Sequence, residues 1–296
     1  VLIVKVPASK KKPHSVGGKF YTREAANSQQ LSRDEIRDFF YREGLLYYDD
    51  QIMPGYSMEK DFSPTLFKRF RIICGFSDII SRDQILSNLG LVKDGLITRT
   101  GVLLFSENIL LHQISATISC SLFLGHDKAR ILDSKHYESD IYTNYENAIT
   151  YLLSHINTEF VITKDRRIEI PELPVEALRE AVLNAIAHRE YRSNANIQVY
   201  IFKDRVEITN PGGLPGGISK EEFGKKSIPR NPLLFSMLHR MNLVEKIGSG
   251  IIRMKNLLVE QGLREPEYEI TKNFFTIRFY RKTTVKTTVK TTVKTP

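Results

Sequence analysis

Glu180, Asn184 and His188 recur at four-residue intervals within "LREAVLNAIAHREY", residues 178–191. On a helix that interval stacks an acid, an amide and an imidazole in one row, one turn apart. At about 100° per residue, Leu178, Val182, Ala185 and Ile186 make the core-facing sector, which leaves the row on the far side. Beside the row stand Ala177, Ala181 and Ala187. A solvated face usually carries long charged side chains; this one is kept low, as a surface on which something docks would be. The chemistry suits a magnesium nucleotide. Mg2+ prefers oxygen ligands and keeps several waters, so the Asn184 carbonyl can anchor it while phosphates supply the rest. Glu180, a turn away, can orient or deprotonate a water aimed at a terminal phosphate. The bland alternative is an exposed helix face with a chance spacing.

Two glycine elements follow in the chain. Asn210-Pro211-Gly212-Gly213 reads as a turn with exposed backbone donors and space for a flat base. Gly248-Ser249-Gly250 opens a helix, where unpaired N–H groups and the helix dipole favour phosphate. Lys225, Lys226 and Arg230 lie in the long loop between them. Either glycine element alone is an ordinary turn; the ordered set is what points to a nucleotide pocket.

Local pattern supplies the elements that would position these groups. "VLIVKVP" and "GGKFYTRE" read as strands, and Ser32 followed by Glu35 reads as a capping box opening a helix to about Gly44. Residues 47–57 look like an extended connector. "SPTLFKRFRIICGF" is helical, Ser81 caps "RDQILSNLGLV", and "DGLITRTGVLLF" reads as a turn and strand, together a small winged-helix-like segment or a spacer. "ATISCSLFLG" reads as a buried strand, 142–156 as an amphipathic helix, and "RRIEIPELP" as a strand before the quoted helix. "NIQVYIFKDRVEITN" alternates on both sides of a turn, a β-hairpin. Helices from Pro232 and after Gly250, then a strand in "NFFTIRFYR", complete the order. The pattern predicts an α+β fold, an antiparallel sheet with helices on one face in a two-layer sandwich.

The bulk numbers exclude several classes. At 296 residues, 41% hydrophobic and 26% charged, the chain has the composition of a globular protein with two or three compact units. No apolar run approaches the length of a membrane span, so no membrane partner is expected, and no secretory signal pattern opens the chain. Cys74 and Cys120, without CxxC spacing, argue against a disulfide framework or zinc site and for a cytoplasmic setting. The net charge of +9 sits at the ends: residues 1–33 carry +6, residues 281–296 carry +5, and the remainder −2. Such clustering is the footprint of a polyanion-binding surface, with Lys5, Lys10, Lys11, Lys12, Lys19 and Arg23 the expected nucleic-acid contacts. A solvated, silent charge run is the alternative. "KTTVKTTVKTTVKTP" has period four and no core-forming face, as a linker would.

"EALREAVLNAIAHREY", "DRVEITNPGGLP", "KSIPRNPLL" and "EKIGSGIIRM" resemble the ATPase-like domain of the helicase-related transcriptional regulators, once described as divergent AAA ATPases. That domain is similar to the GHKL (Bergerat) ATPase fold of gyrase, Hsp90, histidine kinases and MutL. "LIVKVPASKKKPHSVGGKFYTREAANSQQLSRDEIRDFF" resembles the end of a Schlafen AlbA-like domain. The resemblance implies a partial AlbA-like α/β domain in 1–50, a small winged-helix-like segment in 58–110, a GHKL ATPase-like domain in 111–280 and a linker in 281–296. It implies ATP and Mg2+ as cofactors, Glu180 as catalytic base and Asn184 as magnesium ligand. Asn210 stands where the family has an aspartate that reads adenine, with Gly212 and Gly213 behind it and Gly248 and Gly250 in the second glycine box. His188, Ser249, Lys226 and Arg230 are the further expected nucleotide contacts. The implied function is a DNA-binding regulator, expected as a homodimer, whose nucleotide site is a switch with weak or absent hydrolysis. The alternatives are a nucleic-acid-processing enzyme, either ATP-dependent and helicase-related or a Schlafen-like nuclease, and a degenerate scaffold that binds nothing.

Overall fold

Gly17 and Gly18 adopt φ of +56° and +76°, the left-handed pair that closes a two-residue hairpin between antiparallel strands. In the computed structural model, which describes residues 14–24, 27–162, 167–216, 218–219, 221–245 and 248–282, they join β1 (Ser15–Val16) to β2 (Lys19–Glu24). β3 (Asn27–Gln30) completes a three-stranded sheet. Ser32 Oγ accepts from the Glu35 N–H while the Glu35 carboxylate accepts from the Ser32 N–H, and this reciprocal cap starts α1 (Arg33–Arg42). These elements belong to the first of two compact units, which ends at Leu46; the second begins at Tyr47. The strand expected in "VLIVKVP" and the Lys-Thr repeat beyond residue 282 lie outside the described residues.

The second unit opens with α2 (Pro64–Ile73) and α3 (Arg82–Asn88), the latter capped reciprocally by Ser81 and Gln84. β4 (Val92–Lys93) and β5 (Leu96–Ile97) form a small hairpin through Asp94 and Gly95, both at positive φ. The expected strand through "GVLLF" is instead α4 (Arg99–Phe105). Its N-cap Thr98 accepts from the Gly101 N–H, and Gly101 lets the first turn close against Ile97, where a Cβ would come within 2.6 Å of Cγ1. A short wholly apolar run carries no period, so the cap decides.

The chain then runs through β6 (Ile118–Phe123), β7 (Ile131–Tyr137), α5 (Ile141–His155), β8 (Thr158–Ile162), β9 (Arg167–Pro171) and α6 (Val175–His188). It continues with β10 (Ile197–Ile201), β11 (Arg205–Pro211), α7 (Pro232–Arg240), α8 (Gly250–Glu260), β12 (Glu267–Ile270) and β13 (Phe274–Tyr280). Six strands form one sheet in the order β12-β13-β11-β10-β6-β7, while β8 and β9 pair by themselves. The sheet is mixed rather than antiparallel, because β6 and β10 run parallel. The long connection through α5 and α6 returns the chain in the same direction, as a parallel pair requires.

Register sorts the sheet into two faces. Cys120, Val199, Ile208 and Ile277 lie in one cross-strand row, each 3% exposed or less, and Ile118, Ile197, Asn210 and Phe275 lie in the next row of the same face. α5 and α6 pack against this sheet, and α8 packs on α6. The opposite face carries polar pairs such as Thr209 with Thr276 and Glu207 with Arg278. A single apolar cluster runs from Phe62, just before α2, to Phe279 in the last strand.

One consequence corrects the helical-wheel expectation for residues 178–191. Ala177, Ala181 and Ala187 are not low walls of an open face; they are 0–3% exposed, and Glu180 is 7% exposed. α8 packs on α6, with Gly250 against Glu180 and Asn184, and the polar row faces a cavity beside this contact.

Candidate functional site

Asn210 is an amide in a row whose other members are Ile118, Ile197 and Phe275. It is 3% exposed, and its Oδ1 is buried without a hydrogen-bond partner. Leaving a buried acceptor unpaired costs about 1–3 kcal/mol, so its position calls for a physical reason. The space beside it supplies one. A cavity of ≈ 130 Å³ is lined by Asn210 with Glu180, Asn184 and His188 of α6, by Gly213 and residues of the 214–228 loop, and by Gly248, Gly250 and Met254 around the start of α8. That is roughly ten times the room a single water needs.

α6 places Glu180, Asn184 and His188 along one side of this cavity. His188 keeps some surface toward it, but the ring is enclosed; burial, aided by the charge of Arg230, pushes its pKa down to about 4. The imidazole is therefore neutral at physiological pH, and its Nδ1 is buried and unpartnered. Asn184 donates from Nδ2 to Glu180 Oε1 at 3.0 Å, which leaves its carbonyl as the remaining acceptor. Glu180 Oε2 accepts from Arg253, whose other Nη donates to Glu245 at 2.9 Å. Gly250 lies so near that a Cβ there would stand 2.0 Å from Glu180 Oε1. The carboxylate thus sits at the N-terminal turn of α8, where negative charge is favoured, with both oxygens engaged.

The glycine elements serve close packing as much as ligand space. Gly212, at φ +107°, spends its N–H on Asn273 O at 2.7 Å, and a Cβ would press on Glu190 and Arg230. A Cβ on Gly213 would fall 2.4 Å from Thr271 O, a backbone atom of the β12–β13 turn. Gly248, at φ +66°, faces Ser227, whose Cβ would be 2.7 Å away. Ser249 is the N-cap of α8 without a side-chain cap bond; its hydroxyl donates to Glu245 at 3.4 Å. Gly213, Gly248 and Gly250 line the cavity, whereas Gly212 and Ser249 do not.

The basic residues of the intervening loop divide likewise. Lys226 lines the cavity and is ion-paired to Glu222. Arg230 does not line it; Arg230 donates to Glu190 at 3.0 Å and to Gly213 O at 2.7 Å, clamping the base of the loop. Burial alone would raise the Glu190 carboxyl, but Arg192 and Arg230 hold it below the usual range.

Sequence reasoning missed four residues that shape the site. Arg253 holds Glu180. Asn231 donates to Ala187 O at 2.9 Å and Arg189 O at 2.8 Å, tying the start of α7 to the end of α6. Arg189, 1% exposed, donates to Ser115 O, Ser193 O and Ala195 O beyond that end. Asp49, fully buried, accepts from the Leu234 N–H at 2.9 Å across 185 positions of sequence. Only Arg253 carried a local hint, standing one turn after Gly250; the others act through contacts distant in sequence.

No group of three or more His, Cys, Asp or Glu among the described residues could hold a metal alone. A cation bound chiefly by phosphate oxygens, with the Asn184 carbonyl, needs none. In the first unit, Lys19 and Arg23 stand exposed on one face of β2 with Tyr21 between them, and Tyr21 is 47% exposed. Lys5, Lys10, Lys11 and Lys12 lie outside the described residues. No helix among the described residues is long and apolar enough to cross a membrane.

Residues 194–279 match the protein family described as "Putative ATP-dependent DNA helicase recG C-terminal". The span holds β10 to β13, α7, α8, Asn210 and both glycine elements; α6, with Glu180 and Asn184, precedes it. Among solved structures, that of the DIP2311 protein from Corynebacterium diphtheriae is similar, with a TM-score of 0.67 and 22% identity. The match covers 89% of this chain and 53% of that one, so this chain spans about half its length. That likeness is one of fold. No curated protein gives a significant sequence match. The chain therefore contains an ATPase-like domain of the HATPase kind.

Proposed function

We propose that this chain is a DNA-binding transcriptional regulator whose ATP site, of the GHKL type in a two-layer α+β sandwich, acts as a nucleotide switch with weak or absent hydrolysis. The observation that carries the reading is the unpaired Asn210 amide, set in an apolar row and opening on the cavity that Glu180 and Asn184 also line. ATP with Mg2+ fits this donor set. Magnesium, when bound, neutralises phosphate charge. Asn184 offers the carbonyl oxygen that would hold it, and the N–H groups at the start of α8 would favour phosphate. Ile218, Phe223 and Ile228 of the loop line the cavity with apolar surface. Glu180 is placed to orient a water, yet Arg253 and Asn184 occupy its oxygens, which favours binding over turnover.

A switch works only if the ligand prefers one arrangement. Here the 214–228 loop and the α8 start are the parts that contact both ligand and the rest of the unit, and a homodimer would convert their closure into the spacing of two DNA-binding arms. Lys19, Tyr21 and Arg23 on β2, with the basic residues before them, are the proposed DNA contacts, in a partial AlbA-like domain over 1–50. Segment 58–110 is proposed as winged-helix-like, 111–280 as the GHKL domain and 281–296 as a linker. Two unpaired thiols, Cys74 and Cys120, suit the cytoplasm.

Thermal unfolding with Mg-ATP tests the site. At a nucleotide concentration near 100 times Kd the native state gains about 2.7 kcal/mol, roughly 5–10 °C for a unit of this size. Wild type should shift and Asn184→Ala should not. The rival reading, a scaffold that keeps the fold without the ligand, rests on the occupied Glu180 carboxylate; no shift at millimolar nucleotide would favour it. DNA affinity should fall steeply with salt, and indifference to ionic strength would remove the basic residues from the interface.

A further inference from the structure

An amide and a carboxylate of the same shape differ in one respect that matters to a heterocycle. The carboxylate only accepts hydrogen bonds, whereas the amide offers one accepting and one donating end. Which end faces a ligand depends on what else holds the group. Asn210 Oδ1 is buried without a hydrogen-bond partner, and among the described residues no hydrogen bond engages its Nδ2. Exchanging its two ends therefore breaks no bond to the described residues. His188, which also lines the cavity, has its Nδ1 buried without a partner, and its neutral imidazole has a like freedom through its two tautomers. The neighbours of Asn210 on the sheet that share the wall are Ile208, Phe275 and Ile277, which carry no polar side-chain atom. Among the described residues of that sheet wall, none fixes the sign of the hydrogen bond a base must make.

Purines present two opposite patterns to such a wall. A 6-amino purine shows a donor beside the N1 acceptor; a 6-oxo purine shows an acceptor beside the N1–H donor. A fixed acceptor would leave buried like-signed groups facing each other for the oxo base, the arrangement that gives polar sites their largest selectivities. A free amide turns to meet either. We propose that the cavity accepts purine nucleotides with either a 6-amino or a 6-oxo group, and that Asn210 is the residue that sets this tolerance. The inference rests on the nucleotide-site reading above and specifies its substrate class.

Calorimetric titration of the full chain with Mg2+ and three triphosphates tests it: ATP, inosine triphosphate, and purine riboside triphosphate, which lacks any 6-substituent. In wild type, ATP and inosine triphosphate should bind within about tenfold of each other, and both more tightly than the unsubstituted purine, since each gains one hydrogen bond. Asn210→Asp should move the ratio toward ATP by about tenfold or more. Inosine triphosphate weaker than ATP by about a hundredfold or more in wild type would overturn the tolerance while leaving the site intact. Equal binding of all three would show that the amide does not read the base, and this arm needs no variant. An unchanged ratio in folded Asn210→Asp protein would also overturn the proposal. If no triphosphate binds, the nucleotide site itself is wrong, a result distinct from loss of tolerance.

Discussion

Gly250→Ala sets two effects of opposite sign against each other. Gly250 is the first residue of α8 and has no positive φ, so its backbone suits alanine. Helix propensity and the reduced freedom of the unfolded chain would then favour the substitution by up to about 1 kcal/mol, less in a first turn. Against this, the new methyl would stand 2.0 Å from Glu180 Oε1, 2.8 Å from its Cδ and 3.4 Å from Asn184 Nδ2. A carboxylate at the end of a flexible chain normally swings away at little cost. This one is 7% exposed and receives Arg253 and Asn184. Moving it gives up a charged hydrogen bond worth roughly 1.5–3 kcal/mol, discounted to about 1–2 because Arg253 keeps 38% of its side chain in solvent. Holding it in place forces α8 outward, an overpacking cost of about 1–3 kcal/mol.

The steric effect wins, and the net expectation is destabilisation by about 1–2 kcal/mol, a Tm lower by roughly 2–8 °C. Urea unfolding of wild type, Gly250→Ala, Glu180→Ala and the double variant closes a cycle on the contact. In the Glu180→Ala background the obstruction is gone, so the same change should be neutral or slightly stabilising, giving a coupling of about 1–2 kcal/mol. A Gly250→Ala protein as stable as wild type, or more so, would mean that Glu180 is not pinned between α6 and α8, and the account of an engaged carboxylate would fall with it.

Gly213→Ala meets backbone rather than a side chain, 2.4 Å from Thr271 O and 2.9 Å from Lys272 O, so it should cost about 2–3 kcal/mol in urea unfolding; a loss under about 0.5 kcal/mol would refute the close approach. Asn210→Leu replaces an unpaired buried amide with an apolar group and should raise the stability of the ligand-free protein by about 1 kcal/mol while abolishing the Mg-ATP shift; lower stability in unfolding curves would mean the amide is satisfied. Acid dependence separates two buried groups. His188, lowered from 6.5 to about 4, resists protonation when folded, so its contribution is present above pH 6.5 and is lost as pH falls toward 4, up to about 3 kcal/mol. Asp49, raised from 3.8 to about 6 by burial, binds its proton earlier when folded, so it adds a similar stabilisation as pH falls from 6 toward 3.8. The two offset each other in wild type. Asp49→Asn should steepen the loss on acidification and His188→Gln should reverse it, read by urea midpoints between pH 7 and 4.5; unchanged slopes in both variants would rule out these titrations.

Much of the fold is legible because its signals are local. The Ser32–Glu35 and Ser81–Gln84 caps, the alternation of Ile197, Val199 and Ile201, and the alanine-rich period of α6 each declare themselves within a few residues. β3, β7, β8 and β12 do not. β7 lies at the edge of its sheet with most residues exposed, so "ILDSKHY" has no apolar face to show. The parallel pairing of β6 with β10 is invisible for another reason, since it is decided by a connection of more than 70 residues. The site follows the same division. Its residue types stand in the α6 spacing, but the grip of Arg253 on Glu180 depends on how α8 crosses α6. Asn210 is the exception that was readable at short range. Val206, Ile208 and position 210 form one alternating set in β11, and the third member is an amide where the pattern asks for another apolar side chain. A buried position that breaks its own pattern makes the empty fold less stable, and such breaks collect where a ligand supplies the missing partner. The glycine elements, which packing alone explains in part, therefore favour a nucleotide at this wall less than does an asparagine whose buried Oδ1 has no partner among the described residues.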